Sequence, residues 1–75
     1  MDYIKTTLER AISEDKRVRM IYQSGDAMSE RTIKPYEITQ DSVIGYCYLR
    51  RAKRSFKLNG ILSVQLIGER NKRDG

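Results

Sequence analysis

Hydrophobic residues recur every three or four positions in the first part of the chain, and the spacing then changes to strict alternation. The early set consists of Ile4, Leu8, Ala11 and Ile12. Such spacing places the apolar side chains on one face of an α-helix. Asp2 precedes them, and aspartate is a favoured residue at a helix N-cap. The pattern predicts one amphipathic helix from about residue 2 to about residue 16.

Alternation beyond the helix predicts short strands separated by turns. Val18, Met20 and Tyr22 share one face of the first strand, and a turn at Gly25 follows it. The second strand runs from about residue 30 to residue 39 and contains a proline. Because Pro35 has no N–H to donate, this strand is predicted to lie at a sheet edge or to be broken by a bend.

The third predicted strand, residues 42–50, has one small apolar face and one aromatic face. The first face carries Val43, Gly45, Cys47 and Leu49, and the second carries Ile44, Tyr46, Tyr48 and Arg50. Strands at 55–58 and 61–68 follow, separated by the turn-like pair Asn59-Gly60, and residues 69–75 form a frayed tail. One helix followed by five strands predicts a mostly β fold, a small five-stranded antiparallel barrel over residues 17–68.

Composition places the chain among globular proteins. The 75 residues allow one small domain, 39% of them are hydrophobic and 33% are charged. The longest apolar stretches are a few residues, far below the roughly 20 that span a bilayer, and the N-terminus is polar and acidic. A cytoplasmic location without membrane contact is expected.

The net charge of +5 is concentrated in one segment. Residues 1–41 carry 7 basic and 8 acidic side chains, whereas residues 42–68 carry 5 basic and no acidic ones. These five are Arg50, Arg51, Lys53, Arg54 and Lys57. We call them the hairpin cations. A cluster of this kind is typical of proteins that bind a negatively charged partner.

A hairpin centred on Ala52 is predicted to set Arg50 opposite Arg54 and Tyr48 opposite Phe56. Like charges that face each other directly destabilise a sheet, so folding alone gives no reason for this arrangement. An anion between the arginines would turn the repulsion into attraction. The alternative is a flexible loop whose arginines extend into water.

Motifs for catalysis are nearly absent. The chain has no histidine and one cysteine, which removes the commonest general base and any zinc site built from several such ligands. Cys47 is expected to be a small buried hydrophobe. The five glycines are too dispersed for a phosphate-binding loop. No enzymatic activity and no cofactor are expected, and arginine combined with aromatic residues remains as the candidate binding chemistry.

Three short motifs occur in a recognisable order and spacing. They are Arg31-x-Ile33-x-Pro35-Tyr36, Gly45-Tyr46-Cys47 and Arg54-x-Phe56-x-Leu58. Over about residues 4–67 the chain resembles the WYL domain. The resemblance implies an SH3-like or Sm-like barrel that senses a nucleic acid or nucleotide, single-stranded DNA being one such ligand, in bacterial transcription regulation. It also suggests a short helical turn at Asn59-Gly60 in place of a two-residue hairpin.

The chain departs from the family pattern at two places. The tripeptide that names the family falls on Asp41-Ser42-Val43, so its Trp and Tyr are missing. Gly60 stands where the family usually has an arginine, which removes one expected cation. The 75 residues contain no DNA-reading domain. If the domain acts alone, regulation is expected to pass through a partner regulator, a homodimer or competition for the ligand.

The resemblance and the charge pattern together predict the binding residues. Phosphate contacts are assigned first to Arg50 and Arg54 and then to Arg31 and Arg51. Stacking positions or pocket walls are assigned to Tyr22, Tyr46, Tyr48 and Phe56, with simple core packing as the alternative for each. The expected ligand is a single-stranded nucleic acid, an oligonucleotide or a nucleotide. The competing hypothesis is a protein–protein interaction or dimerisation module that uses exposed edges near Pro35 or the basic hairpin.

Overall fold

The computed structural model describes residues 3–67, which form one helix, five strands and one short 3₁₀ turn. The elements are α1 (Tyr3–Glu14), β1 (Arg17–Ser24), β2 (Ala27–Ile38), β3 (Ser42–Cys47), β4 (Ala52–Lys57), the 3₁₀ turn (Leu58–Gly60) and β5 (Ile61–Ile67). All neighbouring strands are antiparallel, in the order β4-β3-β2-β1-β5. The predicted fold of one N-terminal helix and five antiparallel strands is confirmed.

The strand pairings leave β4 and β5 at the two ends of the sheet. Closure of the sheet into a barrel therefore remains a prediction. The predicted N-cap Asp2 and the tail at 69–75 lie outside the described residues. Within residues 3–67, no helix combines the length and the apolar character needed to cross a membrane.

The core lies between α1 and one face of the sheet, which we call the inner face. Alternation along each strand sends every second side chain to that face, and the helix covers part of it with Leu8 and Ala11. The buried residues of the sheet are Val18, Met20, Ile33, Val43, Cys47, Phe56, Ile61 and Val64. Burial of this apolar surface is the main source of stability in a small domain.

The second strand agrees with one of its two predicted alternatives, an interruption at the proline, and not with the other. β2 pairs with both β1 and β3, so the assignment of the Pro35 strand to an edge is wrong. The pairing register with β3 shifts between Pro35 and Glu37, which identifies a bulge there. A bulge leaves one residue out of the ladder, and this is where a proline is tolerated inside a sheet. The interaction edge expected near Pro35 is consequently occupied by the neighbouring strands.

The third strand is shorter than predicted. β3 ends at Cys47, and the residues of the range 48–51 form a turn in which Arg51 donates its N–H to the Cys47 carbonyl at 2.7 Å. Val43 and Cys47 are fully buried as predicted, but Leu49 belongs to the turn and is 64% exposed, so its place in the core is wrong. The 3₁₀ turn at Leu58–Gly60 confirms the helical alternative at Asn59-Gly60 over a tight hairpin.

Candidate functional site

The basic hairpin has a different register from the predicted one. β3 and β4 pair Val43 with Phe56, Gly45 with Arg54, and Cys47 with Ala52. The predicted opposition of Arg50 to Arg54 and of Tyr48 to Phe56 is therefore wrong. The register differs because the turn consists of the four residues 48–51, so Ala52 lies inside β4 and not at the tip of the loop. Within Ala52–Lys57, no cation lies directly opposite another cation.

The observed register sends the side chain of Arg54 to the inner face. Arg54 pairs with Gly45 and lies two residues before the buried Phe56, so its side chain is on the same face as that ring. Arg31 reaches the same face from β2, because it lies two residues before the buried Ile33. Lys53 pairs with Tyr46 and lies on the opposite, outer face. The hairpin cations are thus divided between two faces.

A cleft of about 390 Å³ opens on the inner face between the β1–β2 hairpin and the β3–β4 hairpin. Its lining consists of Tyr22, Ser24, Ala27, Ser29, Arg31, Cys47, Arg50, Arg54, Ser55 and Phe56. The structure therefore brings together five of the eight predicted site residues. They are Tyr22, Arg31, Arg50, Arg54 and Phe56. We call this site the arginine cleft.

Two aromatic residues in the lining of the arginine cleft pack against each other. The rings of Tyr22 and Phe56 meet edge to face with their centroids 5.2 Å apart, and Phe56 is only 7% exposed. The Tyr22 hydroxyl accepts a hydrogen bond of 3.1 Å from the backbone N–H of Lys57, which connects β1 to β4 across the inner face. The two rings form a wall in which Phe56 presents little open surface to a ligand.

Gly60 packs directly against this wall. A Cβ atom at position 60 would lie 2.8 Å from the Cε1 atom of Tyr22 and 2.9 Å from the carbonyl oxygen of Gln23. The arginine that the family pattern leads one to expect here therefore has no room unless Tyr22 moves. Glycine at position 60, where the family usually has arginine, thus allows Tyr22 to pack closely against the backbone.

The arginine cleft carries positive charge without any acidic residue in its lining. Among residues 3–67, Arg31, Arg50 and Arg54 take part in no ion pair. Carboxylates are engaged elsewhere, in the pairs Arg10–Glu14, Lys16–Glu14, Arg19–Glu30, Lys34–Asp15 and Lys57–Asp41. The cleft thus concentrates three permanent positive charges that the described carboxylates leave unbalanced.

Three of the distant ion pairs shift the pKa of one partner. Hydrogen bonds from Arg10 and then from Lys16 lower the pKa of Glu14 below its ordinary value. The hydrogen bond and the charge of Asp15 raise the pKa of Lys34. All three pairs lie around the C-terminal end of α1. These acidic groups are committed to basic residues outside the arginine cleft.

The other three predicted site residues lie outside the arginine cleft. Tyr46 and Tyr48 pack edge to face with their ring centroids 5.0 Å apart, and the guanidinium carbon of Arg17 lies 5.8 Å from the Tyr48 ring centroid. Arg51 occupies the turn with a left-handed backbone angle, φ 56°. None of these three residues is in the lining of the arginine cleft.

Three hydroxyl-bearing residues of the cleft were not predicted. Ser24, Ser29 and Ser55 line it beside the arginines. Alternation along β1 and β2 would have found the first two, because Ser24 follows Tyr22 by two positions and Ser29 precedes Arg31 by two. No pattern in the sequence points to Ser55, which pairs with Ile44 at the edge of the sheet.

The backbone of Arg51 predicts the first mutational result. A side chain at φ 56° costs roughly 1–2 kcal/mol, and glycine removes this cost while adding some chain entropy to the unfolded state. We expect Arg51→Gly to raise the free energy of unfolding by up to about 1 kcal/mol. Urea denaturation followed by circular dichroism measures it. Arg50→Gly is the matched control in the same turn and is expected to lower stability, because Arg50 has no positive φ to relieve. An equal loss of stability in both variants would show that the Arg51 backbone is not strained.

Comparison with known proteins agrees with the resemblance seen in the motifs. A family model described as the WYL domain matches residues 4–66. The solved structure of Proteasome accessory factor B/C (PafBC) of Arthrobacter aurescens is similar over 87% of this chain, with 25% sequence identity and a TM-score of 0.75. The similar region is 11% of the PafBC chain. No curated protein sequence gives a significant match. The chain belongs to the WYL domain family, whose members are ligand-sensing regulatory modules.

Proposed function

We propose that this WYL domain binds single-stranded nucleic acid, an oligonucleotide or a nucleotide through the arginine cleft. The observation that carries the proposal is the convergence of Arg31, Arg50 and Arg54 on one cleft that has no acidic lining residue. Guanidinium groups form paired hydrogen bonds with phosphate oxygens, and these charge-assisted bonds are about twice as strong as neutral ones. Serine hydroxyls beside them supply further donors.

Two of the three remaining hairpin cations support the same ligand class in a different way, whereas Lys57 is paired with Asp41. Lys53 lies on the outer face of an edge strand, and Arg51 projects from the turn. Neither shares the cleft, so each is expected to attract a polyanion over distance without fixing its position. A nucleic-acid strand longer than the cleft would extend past these residues. Their exposure therefore favours an extended polyanion over a small inorganic ion.

A regulatory role follows from the energetics of the empty cleft. Three like charges in one cavity repel one another, and a bound phosphate converts that repulsion into attraction. The domain therefore gains stability from the ligand, and this coupling between binding and stability is what a regulatory module needs. PafBC is a WYL-domain regulator, and this chain corresponds to 11% of it. We propose that the present domain likewise reports ligand binding to a transcription regulator.

Salt dependence tests the proposal. Engagement of the three cleft arginines alone corresponds to a log–log slope of roughly −2, and their engagement together with Arg51, Lys53 and Lys57 to roughly −4. We expect a labelled oligothymidylate titrated with the domain to give a slope between these values by fluorescence anisotropy. Binding that is undetectable at low ionic strength, or that does not change with salt, would contradict the proposal.

A further inference from the structure

The concentration of positive charge in the arginine cleft restricts which part of a nucleic acid it receives. Three guanidinium groups share about 390 Å³. An internal phosphodiester carries one negative charge, whereas a terminal phosphomonoester carries about 1.5 to 2 at pH 7 and offers three strong acceptor oxygens. Three arginines are therefore better matched by a terminal phosphate than by a single internal linkage.

We infer that the arginine cleft recognises a terminal phosphomonoester of an oligonucleotide or nucleotide, held by Arg31, Arg50 and Arg54. The inference rests on the proposed function and specifies the ligand group that the same site selects. Ser24 and Ser29, which also line the cleft, carry hydroxyl groups of the kind that donate to phosphate oxygens.

Acidity distinguishes this ligand group from an internal phosphate. The second ionisation of a phosphomonoester lies near pH 6, and a phosphodiester has no ionisation in that range. The charged residues that face the cleft are Arg31, Arg50 and Arg54, and the titratable ones are Tyr22 and Cys47. The chain contains no histidine, the side chain that ordinarily titrates there. A loss of affinity on acidification toward about pH 5.5 would thus follow the ligand's own charge.

The test compares four probes on the same domain. They are oligothymidylates of about eight nucleotides with a 5′-phosphate, a 3′-phosphate or two hydroxyl ends, and thymidine monophosphate. We expect one phosphorylated oligonucleotide to bind at least about 10-fold more tightly than the hydroxyl-ended one, and the ratio to fall several-fold from about pH 7.5 to about pH 5.5. Thymidine monophosphate that matches the better oligonucleotide would support the inference and identify free nucleotides as the source.

Matched variants link the preference to the cleft. Arg54→Gln is expected to remove the phosphate preference, whereas Lys53→Gln, with the same change in charge on the outer face, is expected to weaken all probes alike and keep the ratio. Equal affinity of phosphorylated and hydroxyl-ended oligonucleotides would overturn the inference and leave the proposed function standing. Failure of every probe to bind would overturn both.

Discussion

Reversing the charge of Arg54 is expected to lower affinity for a single-stranded oligonucleotide by about 100-fold, the largest loss among single substitutions of the hairpin cations. Arg54→Glu removes a phosphate-binding fork from the arginine cleft. It also places a carboxylate beside Arg31 and Arg50, where it can pair with them and compete with the ligand. Fluorescence anisotropy at a fixed low ionic strength measures the change.

Lys53→Glu is the matched control for this variant. It makes the same charge change one residue away, but Lys53 pairs with Tyr46 and its side chain lies on the outer face. We expect a loss of less than about 5-fold and a salt slope shallower by about 0.7. If the two reversals weaken binding equally, the affinity arises from overall charge, and the arginine cleft has no special role. Circular dichroism of both variants checks that each one folds.

Substituting Gly45 is expected to have the largest effect on stability. A Cβ atom at this position would lie 2.5 Å from the Lys34 carbonyl oxygen and 2.8 Å from the Pro35 Cα atom. Both neighbours are backbone atoms in the adjacent strand, at the edge of the bulge, so β2 and β3 must separate to accept a methyl group. We expect Gly45→Ala to cost about 3 kcal/mol, a large share of the stability of so small a domain.

Gly25→Ala provides the comparison for Gly45→Ala. Gly25 has a left-handed φ of 62° but no atom within 4 Å of an added Cβ, so its substitution adds backbone strain without a clash. We expect a loss of about 1 kcal/mol at that turn. Urea denaturation of the two variants separates the effects. A Gly45→Ala variant that is no less stable than Gly25→Ala would show that the two strands are not held this closely.

Periodicity was sufficient to predict the elements of the fold. The helical spacing of Ile4, Leu8 and Ala11 and the alternation of Val18 and Met20 report which side chains face the core, and the core is where most of the folding free energy arises. The buried places of Val43 and Cys47 followed from the same rule. Each of these predictions depends on local spacing alone.

The register of the basic hairpin could not be predicted in this way. Alternation fixes which residues share a face within one strand, but the length of the connecting turn decides which residues of two strands are opposite. Here the turn accommodates Arg51 at a φ of 56°, a conformation that sequence patterns assign to glycine or asparagine. The direct opposition of Arg50 and Arg54 was therefore wrong, although both line one cleft.

Five residues of the cleft were predicted from the sequence, and the reason differed from one residue to another. Arg50 and Arg54 were chosen from the local charge cluster, whereas Arg31 lies far from it in sequence and was reached through the family motif. Tyr46 and Tyr48 were grouped with Arg50 by alternation along a strand predicted to run to residue 50, and with Arg54 through the assumed register. The observed register turns Tyr46 and Lys53 to the outer side together. The turn at 48–51 therefore explains why the two tyrosines were predicted at the cleft but lie outside it.

The central claim is that Arg31, Arg50 and Arg54 bind phosphate together in one cleft. Nuclear magnetic resonance of the arginine Nε–H groups, followed while a 5′-phosphorylated oligothymidylate is added, tests it most directly. The account predicts that the three cleft signals shift together along one saturation curve, while the signal of Arg10, which is paired with Glu14, stays in place. Shifts spread evenly over all arginines, or absent from the three in the cleft, would contradict it.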